Sequence, residues 1–81
     1  MGFIISKHAE SQMKLRGIEE KTVLEILDYP DQVKSDNDKT VYQSVIIENG
    51  KQYWIKIFVN HLKTPNLVIT VYKTSKIGKY L

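Results

Sequence analysis

No cysteine occurs anywhere in the 81 residues. Disulfides and thiolate metal sites are therefore excluded as sources of stability or chemistry. Histidine is almost as scarce. His8 and His61 are the only two, too far apart for His-x-x-x-His spacing, so no zinc centre is expected. No Gly-rich phosphate loop, no carboxylate pair at catalytic spacing and no Ser-His-Asp order is present, and no cofactor is expected. The start MGFIISKH has too short an apolar run for a signal peptide, and no run is long enough to span a membrane. Ile5-Ser6-Lys7 after Gly2 gives little support to myristoylation. A soluble cytoplasmic protein is the expectation. Repeats, low-complexity tracts and linkers are also missing.

Acidic residues run out early. Residues 1–40 hold six Lys/Arg against eight Asp/Glu, whereas residues 41–81 hold six Lys against Glu48 alone. The overall net charge of +3 is thus a difference between an acidic first half and a basic second half. Such a split points to an anionic partner for the second half, either nucleic acid or an acidic protein; the plainer reading is a generic basic surface that keeps the domain soluble. At this length the chain is one domain, 1–81, and buries only about 60% of its unfolded surface.

What the sequence does have is one strong hairpin signal. Thr40 to Asn60 reads TVYQSVIIENGKQYWIKIFVN, with Asn49-Gly50 between two apolar-rich runs. A two-residue type I′ turn needs positive φ at both central positions, which Asn-Gly tolerates best. With that loop Glu48 faces Lys51, Ile46 faces Tyr53, Ser44 faces Ile55 and Tyr42 faces Ile57. One face then carries Tyr42, Ile46, Tyr53, Ile55, Ile57 and Val59 and should pack under helices. The other carries Val41, Gln43, Val45, Ile47, Trp54, Lys56 and Phe58. Lys56 opposite Gln43 interrupts an otherwise apolar face and is the first functional candidate. The plain alternative is a solvent-side lysine snorkelling over Trp54 and Phe58.

Before the hairpin, Met1 to Ile5 is a short apolar lead, an edge strand or a segment under the first helix. Ser6 is a good N-cap for a helix from Lys7 to Arg16, with Ala9 and Met13 on one side and His8, Gln12 and Leu15 beside them. Gly17 ends it in a Schellman motif that folds Ile18 onto Met13. A second helix, Glu19 to Tyr29, presents Val23, Leu24, Ile26 and Leu27, and Pro30 stops it. Gln32 to Ser35 forms a short strand, and Asp36-Asn37-Asp38 a loop. Leu67 to Lys73 is the most strand-like segment, with Thr70 and Tyr72 on one face and Ile69, Val71 and Lys73 on the other. The expected fold is α+β: two N-terminal helices packed on one face of a four-stranded antiparallel sheet.

His8 lies in the first turn of its helix, where the macrodipole disfavours imidazolium, so a neutral ring able to act as general base is expected. A lone histidine with no task is the plainer reading. Arg16 is the single arginine beside eleven lysines; its planar fork has no lysine substitute at phosphate, although a helix-end cation that satisfies the dipole reads equally well. Lys73, Lys76 and Lys79, interleaved with Tyr72 and Tyr80, form a basic–aromatic segment suited to RNA phosphates and unpaired bases, or else a solvated tail.

The pattern His8…Met13-x-x-Arg16-Gly17-Ile18, then Tyr29-Pro30-Asp31-Gln32-Val33, then Val68-Ile69-Thr70-Val71-Tyr72-Lys73 resembles the domain-of-unknown-function family 4258. That family is similar to RelE/ParE-like toxins and to the barnase-like group of small metal-independent ribonucleases. The resemblance covers His8 to Tyr72. It implies a compact α+β domain whose open sheet face holds RNA, and an acidic antitoxin as protein partner. It implies a toxin that acts as an endoribonuclease without metal, by attack of the RNA 2′-hydroxyl. By position it implies catalytic roles for His8, Arg16, Thr70 and Tyr72, and RNA contacts for Lys76, Lys79 and Tyr80 of the tail. Lys56, a catalytic candidate from the hairpin register, would with Lys73 and Lys76 stand in for the family's sheet arginines, Lys73 joining the RNA contacts. RelE-like nucleases carry several arginines on the sheet, and this chain has none there. A non-catalytic RNA-binding or protein-interaction module, including a topoisomerase-directed ParE-like toxin, is the alternative.

Overall fold

The computed structural model describes residues 2–36 and 38–75. Its elements are β1 (Phe3–Ile5), α1 (Lys7–Arg16), α2 (Glu20–Asp28), β2 (Gln32–Asp36), β3 (Lys39–Glu48), β4 (Lys51–Asn60) and β5 (Asn66–Thr74). The strands form a single sheet in the order β1-β5-β4-β3-β2.

The β3–β4 hairpin has the register that the Asn-Gly loop dictates. Glu48 pairs with Lys51, Tyr42 with Ile57 and Gln43 with Lys56, and φ is +52° at Asn49 and +77° at Gly50. One face of this hairpin supplies Ile55, Ile57 and Val59, all fully buried. Both helices lie against that face. Ala9 and Met13 of α1 and Val23, Ile26 and Leu27 of α2 join the same core, with Val68 and Val71 of β5.

Helix α1 starts and stops where its sequence says. The Ser6 hydroxyl accepts from the Ala9 N–H at 3.1 Å. At the other end Gly17 is left-handed at φ +66°, and the Ile18 N–H returns to the Met13 carbonyl at 2.8 Å, the six-to-one bond of a Schellman motif. Helix α2 is a residue shorter at each end than its sequence suggests, and its Leu24 stays 40% exposed.

The sheet corrects the expected fold. It is five-stranded and mixed, not four-stranded and antiparallel, because Phe3-Ile4-Ile5 pairs parallel with Asn66-Leu67-Val68. The Ser6 N–H extends that pairing to the Val68 carbonyl at 3.0 Å. Two physical reasons hide this strand in the sequence. Three residues are too few to show alternation, and a parallel partner more than sixty residues away is announced by no turn. Phe3 and Ile5 nonetheless point to the core, and Phe3 meets the Tyr42 ring edge-on at 6.0 Å.

A second correction concerns β5. Phe58 pairs with Thr70, but Val59 pairs with Val68, so Ile69 is the extra residue of a bulge. Val68 therefore takes the core position beside Val71, while Thr70 and Tyr72 keep the opposite face. The bulged carbonyl of Ile69 accepts from the Ser6 hydroxyl at 3.3 Å, which ties the helix cap to the irregular strand.

Ile57 contacts both helices' layer from the centre of the sheet. Ile57→Ala should lower unfolding free energy by about 2–5 kcal/mol, and Gly17→Ala, which forces a Cβ into left-handed backbone, by about 1–2 kcal/mol. Urea titration of both variants checks the order of the two effects.

Candidate nucleic-acid interface

Both helices lie on one side, and among the described residues no helix covers the second face of the sheet, the open face, although Gln43 and Trp54 on it are buried. Its side chains follow from the registers. Gln32 pairs with Gln43, Gln43 with Lys56, and Lys56 with Tyr72, so these four make one row across β2, β3, β4 and β5. The next row on the same face is Lys34, Val41, Phe58 and Thr70, and the row on the other side is Val45, Trp54 and Thr74.

The central row is polar and ordered. Gln43 is 1% exposed, and its amide N–H donates to the Gln32 carbonyl oxygen at 2.7 Å. Lys56 is half-buried beside it. At the β5 end the Arg16 guanidinium stacks over the Tyr72 ring, 5.0 Å from its centroid. Helix α1 lies along β5, and its last residue reaches round the strand edge to the open face. The row thus begins in amides, passes a lysine and ends in a tyrosine covered by the chain's single arginine.

What holds Arg16 there is one turn away. The Gln12 side-chain oxygen accepts the Val71 N–H at 3.2 Å, a bond that no strand supplies because β1 stops at Ile5. Gln12 therefore closes the ladder of β5 and pins α1 along it. Arg16 lies four residues on, on the same side of the helix.

The sequence-derived candidates divide into four groups. Arg16, Lys56, Thr70 and Tyr72 come together on or over the open face. His8 does not contact them: it is exposed at the first turn of α1, eight residues from Arg16 and so about 12 Å away along the axis. Lys73 turns to the helix side of the sheet, opposite Ile55. There its ammonium bonds Glu48 at 2.6 Å and lies 4.5 Å from the centre of the Tyr53 ring. Lys76, Lys79 and Tyr80 lie outside the described residues.

Sequence reasoning passed over Gln12 and Gln32. Gln12 reads as a polar residue beside an apolar stripe, and only the short β1 leaves it an N–H to satisfy. Gln32 joins the row through the β2–β3 register, for which the loop sequence carries no Asn-Gly-strength signal. Trp54 is a further surprise: although on the open face it is 2% exposed. Its indole N–H is the one buried side-chain polar atom without a hydrogen-bond partner among the described residues.

Among the described residues, no three His, Cys, Asp or Glu side chains gather to hold a metal ion. No helix of the described residues is long and apolar enough to cross a membrane. The family model of a domain of unknown function, DUF4258, matches residues 5–73. No curated protein and no solved structure matches the chain significantly.

The Gln12 bond gives a direct test of how the interface is held. Gln12→Leu leaves the Val71 N–H without an acceptor in a partly buried setting and should cost about 1 kcal/mol or more. Amide exchange at Val71 should quicken more than exchange at Val68, whose strand partners are unchanged.

Proposed function

The chain belongs to the DUF4258 family, and we propose that it is a RelE/ParE-like protein that binds RNA on the open face of its sheet and cleaves it. The observation that carries this reading is the row Gln43–Lys56–Tyr72 with Arg16 stacked at its end. A cation amid aromatic and amide side chains on a helix-free sheet face suits a single-stranded polyanion with exposed bases. An arginine in cation–π contact with a ring still has N–H donors for phosphate oxygens. The basic second half of the chain adds long-range attraction for RNA.

The reaction needs only RNA and side chains. The 2′-hydroxyl attacks the adjacent 3′-phosphorus and gives its proton to His8. Arg16 and Lys56 hold phosphates of the same strand beside the scissile one, since Arg16, about 12 Å from His8 along α1, does not reach the phosphorus that His8 serves. Thr70 and Tyr72 position phosphate and base. The bond to the 5′-oxygen breaks, that oxygen takes up a proton, and the products are a 2′,3′-cyclic phosphate and a 5′-hydroxyl. In the cytoplasm an acidic antitoxin would cover the same face, with an affinity that falls as salt rises.

One observation favours a second reading. His8 and Arg16 stand at opposite ends of α1, so an RNA held at Arg16 and Lys56 reaches His8 only by running along the helix. If it does not, the face binds RNA without cutting it.

Incubation of the protein with single-stranded RNA in chelator separates the two. Cleavage with cyclic phosphate ends, lowered about 10²-fold or more by His8→Gln while RNA binding persists, supports the nuclease. Gel shifts that Arg16→Ala and Lys56→Met abolish, with no cleavage by the wild type, support the binding module. Neither binding nor cleavage rejects both.

A further inference from the structure

Arg16 covers Tyr72 on the open face, but its guanidinium also borders a second hollow. This cleft, of about 330 Å³, lies where β5 ends and is lined by Arg16, Tyr53, Lys73, Thr74 and Ser75. That volume is at the small end of the range for ligand sites. We propose that the cleft is a phosphate-binding subsite, which takes a backbone phosphate of an RNA strand as it passes from the open face over the edge of β5. The proposal rests on the RNA-binding reading above and extends it to the other side of the sheet.

The charge pattern selects an anion. Two cations and three hydroxyl side chains line the cleft, and no carboxylate does. The neighbouring hollow, of about 260 Å³, shares Lys73 but is walled by Glu19 and Glu48, and it would repel phosphate. Lys73 therefore stands in the partition between an acidic hollow and a basic one.

Its donors are divided in the same way. One N–H of the ammonium goes to Glu48, and the Tyr53 ring meets the charge from one side. An ammonium has three donors, so capacity remains for the cleft. Glu48 is 45% exposed at its side chain, and an ion pair with so wet a partner is weak. It positions Lys73 without consuming its charge. Arg16 contributes differently. Its guanidinium carbon lies over the Tyr72 ring, 5.0 Å from the centroid, and a cation–π contact leaves N–H donors with which a phosphate can be met in bidentate fashion. Among the described residues Arg16 has no carboxylate partner, Lys73–Glu48 being the ion pair found there.

Position gives the cleft its role. Lys73 and Tyr53 belong to the helix side of the sheet, whereas Thr74 pairs with Trp54 on the open side. Arg16 lies between the two. A strand leaving Lys56 and Tyr72 would meet Arg16 first and the cleft next.

The test uses the full chain carrying His8→Gln, so that RNA stays intact, and measures affinity for a labelled single-stranded RNA over a range of salt. Lys73→Met should weaken binding and reduce the slope of log K against log salt by about 0.7, the value for one phosphate contact on a single strand. Ser75→Glu, at an exposed position away from the core, should weaken binding without any loss of fold. Glu48→Gln should leave affinity unchanged or tighter. An RNA with one neutral methylphosphonate linkage moved along the strand should show one position where Lys73→Met adds no further loss. Wild-type affinity and slope in both Lys73→Met and Ser75→Glu, with binding weakened in Lys56→Met, would overturn the subsite and leave the open-face reading standing. Loss of effect in all three variants, or no RNA binding by the parent, would overturn the open-face reading and the subsite together.

Discussion

Register in the β3–β4 hairpin is the constraint on which the other features depend. Two residues with positive φ, Asn49 and Gly50, decide which partner each side chain of the central strands meets. A slip of one residue would exchange the two faces. Ile55 and Ile57 would turn to the open side, and Lys56 would have to enter the core between the helices. Burial of two isoleucines and exclusion of one lysine from that core both favour the same register that the turn selects. Local backbone preference and global packing therefore agree.

The helices are placed by the last strand more than by the hairpin. Helix α1 is capped by Ser6, whose hydroxyl also reaches the bulged Ile69, and it is bonded again at Gln12 to Val71. These two side chains attach the helix to β5 at points beside the irregularity and beyond the end of β1. The same attachment brings Arg16 over Tyr72. Functional geometry at the sheet edge thus follows from how an unpaired strand edge is satisfied.

Much of this was legible in the residues. The Asn-Gly turn, the Ser6 cap and the Gly17 stop each carry a local signal, and the structure places hairpin and first helix accordingly. Lys56 opposite Gln43 follows from the turn alone, as does its separation from the isoleucine face. What the residues did not disclose depended on long-range pairing. The parallel β1–β5 contact has no turn to mark it, and its absence from the expectation produced a four-stranded sheet. The bulge at Ile69 moves Val68 into the core, and nothing in LVITVYK distinguishes a bulged strand from a regular one. Alternation along LVITVYK sets Lys73 on the face opposite Tyr72, but its ion pair with Glu48 of β3 depends on the packing of two non-adjacent strands, which no local signal marks. His8 and Arg16 share a helix, which fixed their separation without showing which of them the sheet would approach.

The two borders of the sheet are unequal. One is closed by the three residues of β1 and then by the amide of Gln12. The other is β2, whose residues Gln32–Ser35 are all exposed and whose outer ladder of N–H and C=O groups has no strand beside it among the described residues. Such a border is a template for self-assembly into extended fibrils. Val33, 51% exposed, adds an apolar side chain to it. Lys34 in the middle of the strand is the charge that opposes stacking of copies edge to edge. Colloidal solubility at high concentration is then sensitive to Lys34, and ionic strength would modulate it by screening that charge against its own copies.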